Sequence, residues 1–210
     1  MSHDAQETEI KLAVPDANTA RRRLRAAGFR VFKRRVFEVN IIFDTPALAL
    51  RKADLLLRVR QAGSIATLTY KGRPARSKYK SREELELAIP DGRIMSAIIE
   101  GIGFHPVFRY EKYRTEYTQP GSRGVATVDE TPVGVYLELE GKAAWIDRTA
   151  RKLNFAETDY LTQSYAALYL DWCRRRRIKP GNMVFAAGAD SPAADPLSSG
   201  SRPAGRPARR

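Results

Sequence analysis

The sequence predicts an α+β domain whose curved sheet turns a charged face inward and an apolar face outward. The main observation is a set of seven short segments with charged or polar residues two positions apart. Side chains two apart in a β-strand share a face, so each segment lines up its charges on one side of a sheet. The opposite parity is largely apolar, as at Ile10 and Leu12, and suits packing against helices. The segments are 7–11, 58–60, 69–71, 80–82, 84–86, 112–114 and 138–140.

The charged faces of these strands must meet each other, because their apolar faces are needed for the core. We add Asp129 to the charged set, since it closes a strand-like run, residues 125–128, just before a turn. Unpaired charges are costly in a protein interior, so the enclosed space must be wet, filled with ions or internally neutralised. The cations are Lys11, Arg58, Arg60, Lys71, Lys80, Arg82, Lys112 and Arg114, and the anions are Glu7, Glu9, Glu84, Glu86, Asp129, Glu138 and Glu140.

The elements between these segments follow from periodicity and turn signals. A first helix is predicted from Asp16 to Ala27, ending at Gly28, and a second from about residue 94 to 102, after a Pro-Asp-Gly break. Helices over 144–153 and 162–175 close the domain. The apolar stripe of the last helix is interpreted as core packing; it consists of Leu161, Tyr165, Leu168, Tyr169 and Trp172.

Strands are predicted where residues alternate between turn signals. Two of them form a hairpin around Gly63, and residues 73–80 are expected to be a mobile loop. The predicted strands after the first charged segment are 31–43, 55–61, 65–70, 82–89, 108–118, 124–129 and 134–140.

Length and composition favour one domain with a sizeable core. The chain has 210 residues, of which 43% are hydrophobic, and two full domains are unexpected at this length. The single cysteine, Cys173, excludes an internal disulfide framework. The polar N-terminus resembles no signal peptide, and no apolar run approaches membrane-spanning length. We therefore expect a cytoplasmic protein without membrane association.

The net charge of +13 is concentrated toward the C-terminus. Residues 174–210 contain nine Lys or Arg and two Asp, in a stretch rich in Pro, Gly, Ala and Ser that lacks periodicity after about Phe185. We predict a folded domain over residues 1–175 and a disordered tail over 176–210. The tail is interpreted as solubilising or as a weak contact for any polyanion, and no specific nucleic-acid site is expected.

Taken in order, the motifs resemble one known family. They are 7–11 (Glu-x-Glu-x-Lys), 43–45 (Phe-Asp-Thr), 57–60 (Leu-Arg-Val-Arg), 68–72 (Leu-Thr-Tyr-Lys-Gly), 82–86 (Arg-x-Glu-x-Glu), 112–114 (Lys-x-Arg), 128–129 (Val-Asp) and 137–140 (Leu-Glu-Leu-Glu). The chain is similar to the CYTH domain, the fold of class IV adenylate cyclases and thiamine triphosphatases, over about residues 5–172. The resemblance implies a closed antiparallel barrel of about eight strands around a charged tunnel, a triphosphate substrate and a divalent cation.

Chemistry suggests a role for each group of charges in such a tunnel. Guanidinium and ammonium groups bind phosphoryl oxygens, so the bases are predicted to bind and act on the triphosphate. The catalytic candidates are Lys11, Arg58, Arg60, Lys71, Arg82, Lys112 and Arg114, with Lys80 as a further substrate contact. Mg²⁺ or Mn²⁺ prefers carboxylate oxygens. The predicted metal ligands are Glu138 and Glu140, then Glu7 and Glu9, with Asp129 completing the site; Glu84 and Glu86 form a lumen charge network.

Three functions remain open for a tunnel of this kind. Attack by water would make the protein a triphosphatase on inorganic, thiamine or nucleoside triphosphate, whereas attack by the ribose 3′-hydroxyl of ATP would make it an adenylate cyclase. The third is a non-catalytic module that binds polyphosphate or RNA ends. None of them needs a covalent nucleophile, so Cys173, His3 and His105 are interpreted as bystanders. The expected partner is a small triphosphate (ATP, thiamine triphosphate or tripolyphosphate), and the oligomeric state stays open.

Overall fold

The chain folds into eight strands and five helices, as seen in a computed structural model that describes residues 6–75 and 77–186. The strands are β1 (Gln6–Val14), β2 (Arg30–Asp44), β3 (Leu56–Ala62), β4 (Ile65–Lys71), β5 (Lys80–Ile89), β6 (His105–Thr118), β7 (Val125–Thr131) and β8 (Gly134–Glu140). The helices are α1 (Ala17–Ala26), α2 (Ala49–Lys52), α3 (Gly92–Gly101), α4 (Ala143–Lys152) and α5 (Tyr165–Arg176), with a 3₁₀ turn at Glu157–Asp159.

The eight strands close into one antiparallel barrel in the order β1-β5-β4-β3-β2-β6-β7-β8. Closure occurs through β1, where Glu9 lies opposite Lys80 of β5 on one side and opposite Glu140 of β8 on the other. Full closure leaves the sheet without exposed edges along the paired segments. The prediction of an α+β barrel of about eight strands with helices outside is confirmed.

The core lies between the outer face of the barrel and the helices. One cluster joins α1 and α4 to β1, β7 and β8, and includes Ile10, Leu24, Leu137 and Ile146. A second lies under α3, where Ile99 packs against the sheet of β2, β3 and β4. A third surrounds α5 and contains Tyr110, Tyr136, Tyr165, Leu168, Tyr169, Cys173 and Met183.

Side-chain caps fix the starts of three helices. The Asp16 carboxylate accepts from the Thr19 N–H at 2.8 Å, and the Asp91 carboxylate accepts from the Arg93 N–H at 2.8 Å. The Ser164 hydroxyl oxygen accepts from the Ala167 N–H at the start of α5. Such residues satisfy the first amide groups of a helix, which have no partner within the helix. Local sequence therefore predicted these helices to within a few residues.

The outer face of β5 is less covered than the alternation suggested. Leu85 and Leu87 are 50% and 63% exposed, although their parity was expected to pack against a helix. Helix α3 contacts β3 and β4 and lies over the sheet next to β5 rather than over β5 itself. The alternation of apolar residues in β5 identified the outward face of the strand correctly. It did not predict how far α3 extends across that face.

The packed domain continues beyond the predicted boundary at residue 175. Met183 is 1% exposed, and its N–H donates to the Arg109 carbonyl oxygen at 3.0 Å. In return, the Glu111 N–H donates to the Met183 carbonyl oxygen at 2.9 Å. Met183 therefore forms an isolated parallel bridge with Tyr110 of β6, outside the part of β6 that pairs with β7. The rest of the predicted tail, 187–210, lies outside the described residues.

No helix among the described residues has the length and apolar character needed to cross a membrane.

Candidate functional site

The lumen of the barrel is a cavity of about 1540 Å³ lined by side chains from all eight strands. Every residue of the predicted charged set lines it except Asp129, which is fully buried in the wall between β6 and β8. The parity of the strands thus brings the predicted site residues into one space. The neutralisation of the lumen takes place in four clusters of ion pairs.

The first cluster is built on β1 and β5. Lys11 Nζ lies 3.1 Å from carboxylate oxygens of both Glu9 and Glu138, and Lys80 Nζ lies 2.8 Å from the same Glu9 oxygen. Burial and then the neighbouring charge of Lys11 lower the pKa of Lys80 to about 8. Although burial opposes its charge, Lys11 has a pKa above its usual value because of Glu9 and Glu138. Lys80 is therefore the lysine that gives up its proton more readily.

The second cluster surrounds the buried carboxylate of Asp129. Its oxygens accept from Arg114 Nε at 2.7 Å, from Lys112 Nζ at 2.8 Å and from the Tyr165 hydroxyl at 2.6 Å. Arg114 also bonds to Glu138. Burial opposes ionisation, yet Arg114 and Lys112 lower the pKa of Asp129 to about 2. Both carboxylate oxygens are engaged, so Asp129 orients the bases in this arrangement rather than facing the open cavity.

The third cluster places one lysine between two carboxylates. Lys71 Nζ lies 2.6 Å from oxygens of both Glu7 and Glu84. Burial and the hydrogen bond with Glu7 raise the pKa of Glu84, whereas the pKa of Glu7 lies below its usual value. Two adjacent carboxylates resist ionising together, so Glu84 is the one that retains a proton.

The fourth cluster organises the two arginines of β3. Glu86 accepts from Arg60 at 2.9 Å, from Arg58 at 3.2 Å and from the Thr69 hydroxyl at 2.8 Å. Arg58 donates in addition to the Tyr110 hydroxyl at 3.2 Å. The arrangement holds two guanidinium forks side by side, a geometry that suits anionic oxygens.

Two members of the predicted charged set, Arg82 and Glu140, form no ion pair with any described residue. The Arg82 Nε is buried without a hydrogen-bond partner. Although Glu140 is exposed to solvent at the end of β8, the surrounding protein and then the charge of Glu7 raise its pKa to about 7. These two groups are the ones most available to an incoming ligand.

Several residues on the inner face of the barrel were not predicted, among them Glu38, opposite Lys112, and Asn40, opposite Arg60. Glu38 is buried with Lys112 Nζ at 3.5 Å, and Asn40 is fully buried with both amide atoms lacking a partner. Their spacing of two within the predicted strand 31–43 carried the signal that identified the other segments. Tyr165 was interpreted as core packing, and it does pack there; its hydroxyl also reaches Asp129, and its ring lies 5.2 and 5.0 Å from Lys11 Nζ and Lys112 Nζ.

The described residues contain no group of three or more His, Cys, Asp or Glu placed to hold a metal ion together. The nearest arrangement is Glu9, opposite Glu140 across the β1–β8 pair, with Glu138 two residues before Glu140. Cys173 is buried in α5 and His105 is exposed at the start of β6, so neither lines the lumen. His3 lies outside the described residues.

The loop before β5 is anchored rather than unattached, although it was expected to be mobile. Lys78 Nζ lies 3.0 Å from Asp147 of α4, and the Tyr79 hydroxyl donates to the same carboxylate at 2.8 Å. Tyr160 donates to its other oxygen at 3.0 Å. Lys80, predicted to end this loop, already belongs to β5.

Acid is expected to destabilise the protein through buried carboxylates whose pKa is held at about 2. Although burial opposes ionisation, Lys112 and Arg114 hold the pKa of Glu38 at about 2, as they do for Asp129. A lowered pKa stabilises the fold above the ordinary value near 4, and this stabilisation is lost as pH falls toward 2. Each group contributes up to about 1.4 kcal/mol per pH unit in that window. Urea unfolding at pH 5, 4 and 3 measures the effect. A free energy of unfolding that stays constant over that range would contradict the prediction. In the Glu38→Gln variant, the free energy of unfolding should depend less steeply on pH.

Known proteins share both the sequence pattern and the fold of this chain. The sequence profile of the CYTH domain matches residues 5–165. A Methanocaldococcus jannaschii protein, named as a candidate adenylate cyclase, is 29% identical over 173 residues, which cover 77% of this chain and 97% of that protein.

Solved structures share the same fold. A Pyrococcus horikoshii protein superposes with a TM-score of 0.68 at 24% identity, covering 79% of this chain and 98% of its own. A candidate adenylate cyclase from Vibrio parahaemolyticus gives 0.68 at 18% identity, covering 78% and 97%. A Hippeastrum protein gives 0.60 at 19% identity, covering 79% and 95%; it is described as a candidate adenylyl cyclase with a dominant triphosphatase activity.

Proposed function

The chain belongs to the CYTH domain family, and on that premise we propose that it is a triphosphatase that cleaves a phosphoanhydride bond with the help of Mg²⁺ or Mn²⁺. The observation that carries the proposal is the lumen itself, where guanidinium and ammonium groups from several strands converge on one cavity together with carboxylates. A polyphosphate bound to a cation presents both signs of charge, and few other ligands would suit both sets. The activity described for the Hippeastrum protein is consistent with this choice.

The bases of the lumen would hold the triphosphate and stabilise the charge that develops during cleavage. Arg58 and Arg60 are already aligned by Glu86, and Arg114 is aligned by Asp129. Among the described residues, no carboxylate pairs with Arg82, whose Nε is buried without a hydrogen-bond partner. Phosphoryl transfer depends mainly on such positioning and electrostatic stabilisation.

The carboxylates of β1 and β8 fit a divalent cation by their chemistry. Mg²⁺ takes one or two carboxylates from a protein and completes its shell with water and substrate phosphates. Glu140 lacks an ion-pair partner among the described residues. The surrounding protein and then the charges of Glu7, Glu138 and Glu9 raise its pKa, so added positive charge there would be stabilising. Glu138 and Glu9 would assist it. When bound, the cation would neutralise phosphate oxygens and lower the pKa of an attacking water.

A second candidate is an adenylate cyclase. Phe108 and Tyr110 stack at 5.8 Å between ring centroids, and both line the lumen, where they offer a surface for a nucleobase. The name of the Methanocaldococcus jannaschii relative points in the same direction. The non-catalytic module is less favoured, because a pure anion binder gains nothing from a free carboxylate such as Glu140.

Product analysis tests these candidates directly. Purified protein is incubated separately with tripolyphosphate, thiamine triphosphate and ATP, each with Mg²⁺, with Mn²⁺ or with a chelator, and the products are separated by chromatography. Orthophosphate without a cyclic product supports the triphosphatase, whereas cyclic AMP with pyrophosphate would overturn it in favour of the cyclase. Arg82→Gln is the matched negative control, because Arg82 has no ion pair whose loss would disturb the fold. Turnover unchanged in this variant would point to a contaminating phosphatase.

A further inference from the structure

Residues 21–35, which we call the basic segment, carry a dense charge of one sign within the barrel domain. They contain eight Lys or Arg and no Asp or Glu, whereas the other residues before 174 contain 20 Lys or Arg and 22 Asp or Glu. Apart from the C-terminal residues, the positive excess of the protein therefore resides in this one segment. The cations are Arg21, Arg22, Arg23, Arg25, Arg30, Lys33, Arg34 and Arg35.

These cations belong to two neighbouring elements, α1 and the first half of β2. Arg21 and Arg25 lie one turn apart on α1, so they share a face of the helix. The helix and the strand meet at Glu130 of β7. One of its carboxylate oxygens accepts from Arg21 at 2.8 Å and from Arg35 at 3.0 Å.

Most of this charge is not compensated within the described part of the chain. Arg22, Arg25, Arg30 and Arg34 are exposed, and none of them forms an ion pair with a described carboxylate. The carboxylates that contact the basic segment are Glu130 and Glu116, the latter 3.0 Å from Lys33 Nζ. Clustered like charges repel each other and oppose the compact state. Binding of a polyanion would relieve this repulsion between the clustered cations.

The surface is separate from the triphosphate site. Of the basic segment, Lys33 alone lines the lumen cavity, where β2 runs past the tunnel mouth. Arg23 is not available either, since its guanidinium lies 4.9 Å from the ring of Phe155. The other cations of the basic segment are not among the residues that line the lumen cavity.

The chemistry of the surface favours nucleic acid over a lipid membrane. Seven of the eight cations are arginine, whose planar fork matches a phosphate group and stacks on bases. Phe32, 64% exposed, lies among them and offers a ring for an unstacked base. Val31 is the other large apolar residue exposed in the basic segment, and two such side chains flanked by cations are too few for the continuous apolar face that inserts into a membrane.

We propose that the surface formed by α1 and residues 30–35 of β2 binds the backbone of single-stranded nucleic acid without reading its sequence. Phosphate contacts carry affinity and no sequence information. The proposed surface is therefore different from a sequence-specific nucleic-acid site, which the sequence did not predict. It is also independent of what the lumen cleaves.

The test is fluorescence anisotropy of the full-length protein with a 20-nucleotide RNA that has a 5′-hydroxyl, so that no triphosphate engages the lumen. The triple variant R25Q/R30Q/R34Q removes three exposed arginines that have no ion pair. Its matched control, R174Q/R175Q/R176Q, removes the same charge from the last turn of α5. We expect at least tenfold weaker binding in the first and a smaller change in the second. The slope of log K against log salt should fall by about 2, since each phosphate that the protein no longer neutralises on a single strand lowers it by about 0.7.

Further measurements decide which ligand the surface takes. Phe32→Ala should weaken binding about fivefold or more, and a duplex of the same length should bind less tightly than the single strand. Equal losses in the two triple variants, or no binding by the wild-type protein at 100 mM salt, would overturn the proposal. So would binding to vesicles containing phosphatidylserine in the absence of RNA binding, which would assign the surface to acidic lipid. Tripolyphosphate turnover, measured in parallel, should be the same in wild type and both triples.

Discussion

Replacing Arg114 by alanine is expected to lower kcat/KM for the preferred triphosphate by about 100- to 1000-fold, the usual effect of removing one preorganised donor. Arg114 bonds to Asp129 through two nitrogens and also reaches Glu138, so it stands where the bases of β6 meet the acids of β7 and β8. Its loss also leaves the fully buried Asp129 with fewer donors. Removing one partner of a buried ion pair costs about 3 to 5 kcal/mol, so the free energy of unfolding should fall as well.

Two further variants separate catalysis from folding at this position. Arg114→Lys keeps the positive charge but loses the fork, so it should recover stability more fully than activity. Arg93→Ala removes an exposed arginine of α3 and should leave both quantities unchanged. Steady-state kinetics and urea unfolding are the measurements. Full activity in a folded Arg114→Ala protein would remove Arg114 from the candidate site.

Replacing Glu140 by glutamine is expected to lower metal-dependent turnover on the order of 100-fold while making the metal-free protein more stable at alkaline pH. A bound cation supplies several kcal/mol of charge stabilisation. The neutral amide of glutamine would bind the cation more weakly than the carboxylate does. The pKa of Glu140 is about 7 in the folded protein, above its ordinary value of 4.5. A raised carboxyl pKa means that the folded state binds the proton more tightly, so stability falls as pH rises from 4.5 through 7. The variant lacks this loss.

The pH dependence identifies the cause of the gain. In chelator, Glu140→Gln should unfold at higher urea than wild type at pH 8 and at nearly the same urea at pH 4. Glu100→Gln, an exposed carboxylate of α3, is the control and should match wild type at both pH values. A destabilised Glu140→Gln at pH 8 would contradict the like-charge environment inferred for this carboxylate. Unchanged dependence of turnover on metal concentration would remove Glu140 from the metal ligands.

The expectation for Arg114 reflects a property of the lumen, which is that most of its bases already hold carboxylate partners with which a ligand must compete. Lys71 between Glu7 and Glu84, and Glu86 between Arg58 and Arg60, neutralise each other without substrate. A buried charge pair contributes little net stability, but breaking it is costly. An incoming polyphosphate must therefore replace carboxylate contacts with phosphate contacts on the same bases. The charge network predicted for Glu84 and Glu86 fits this role.

Local features of the sequence were sufficient for most of the fold. A spacing of two within a strand decides which face a side chain takes, and that rule needs no knowledge of the partner strand. Helix caps at Asp16 and Asp91 are equally local, because the donor lies two or three residues away. The same spacing at Glu38 and Asn40 could have been recognised. Counting charges over a short stretch of sequence also identifies the basic segment. The C-terminal residues carry a comparable positive excess.

The sequence by itself determined that the protein has a barrel-forming sheet with a charged inner face, which residues lie on that face, and which family it belongs to. Only the tertiary structure decided how those charges pair. Asp129 is enclosed by Lys112, Arg114 and Tyr165, whereas Glu140 has no ion pair among the described residues. The physical reason is that pairing depends on closure of the barrel and on the register between strands far apart in sequence, as where β1 meets β5 and β8. Side-chain parity is a property of each strand, but electrostatic environment is a property of the closed ring.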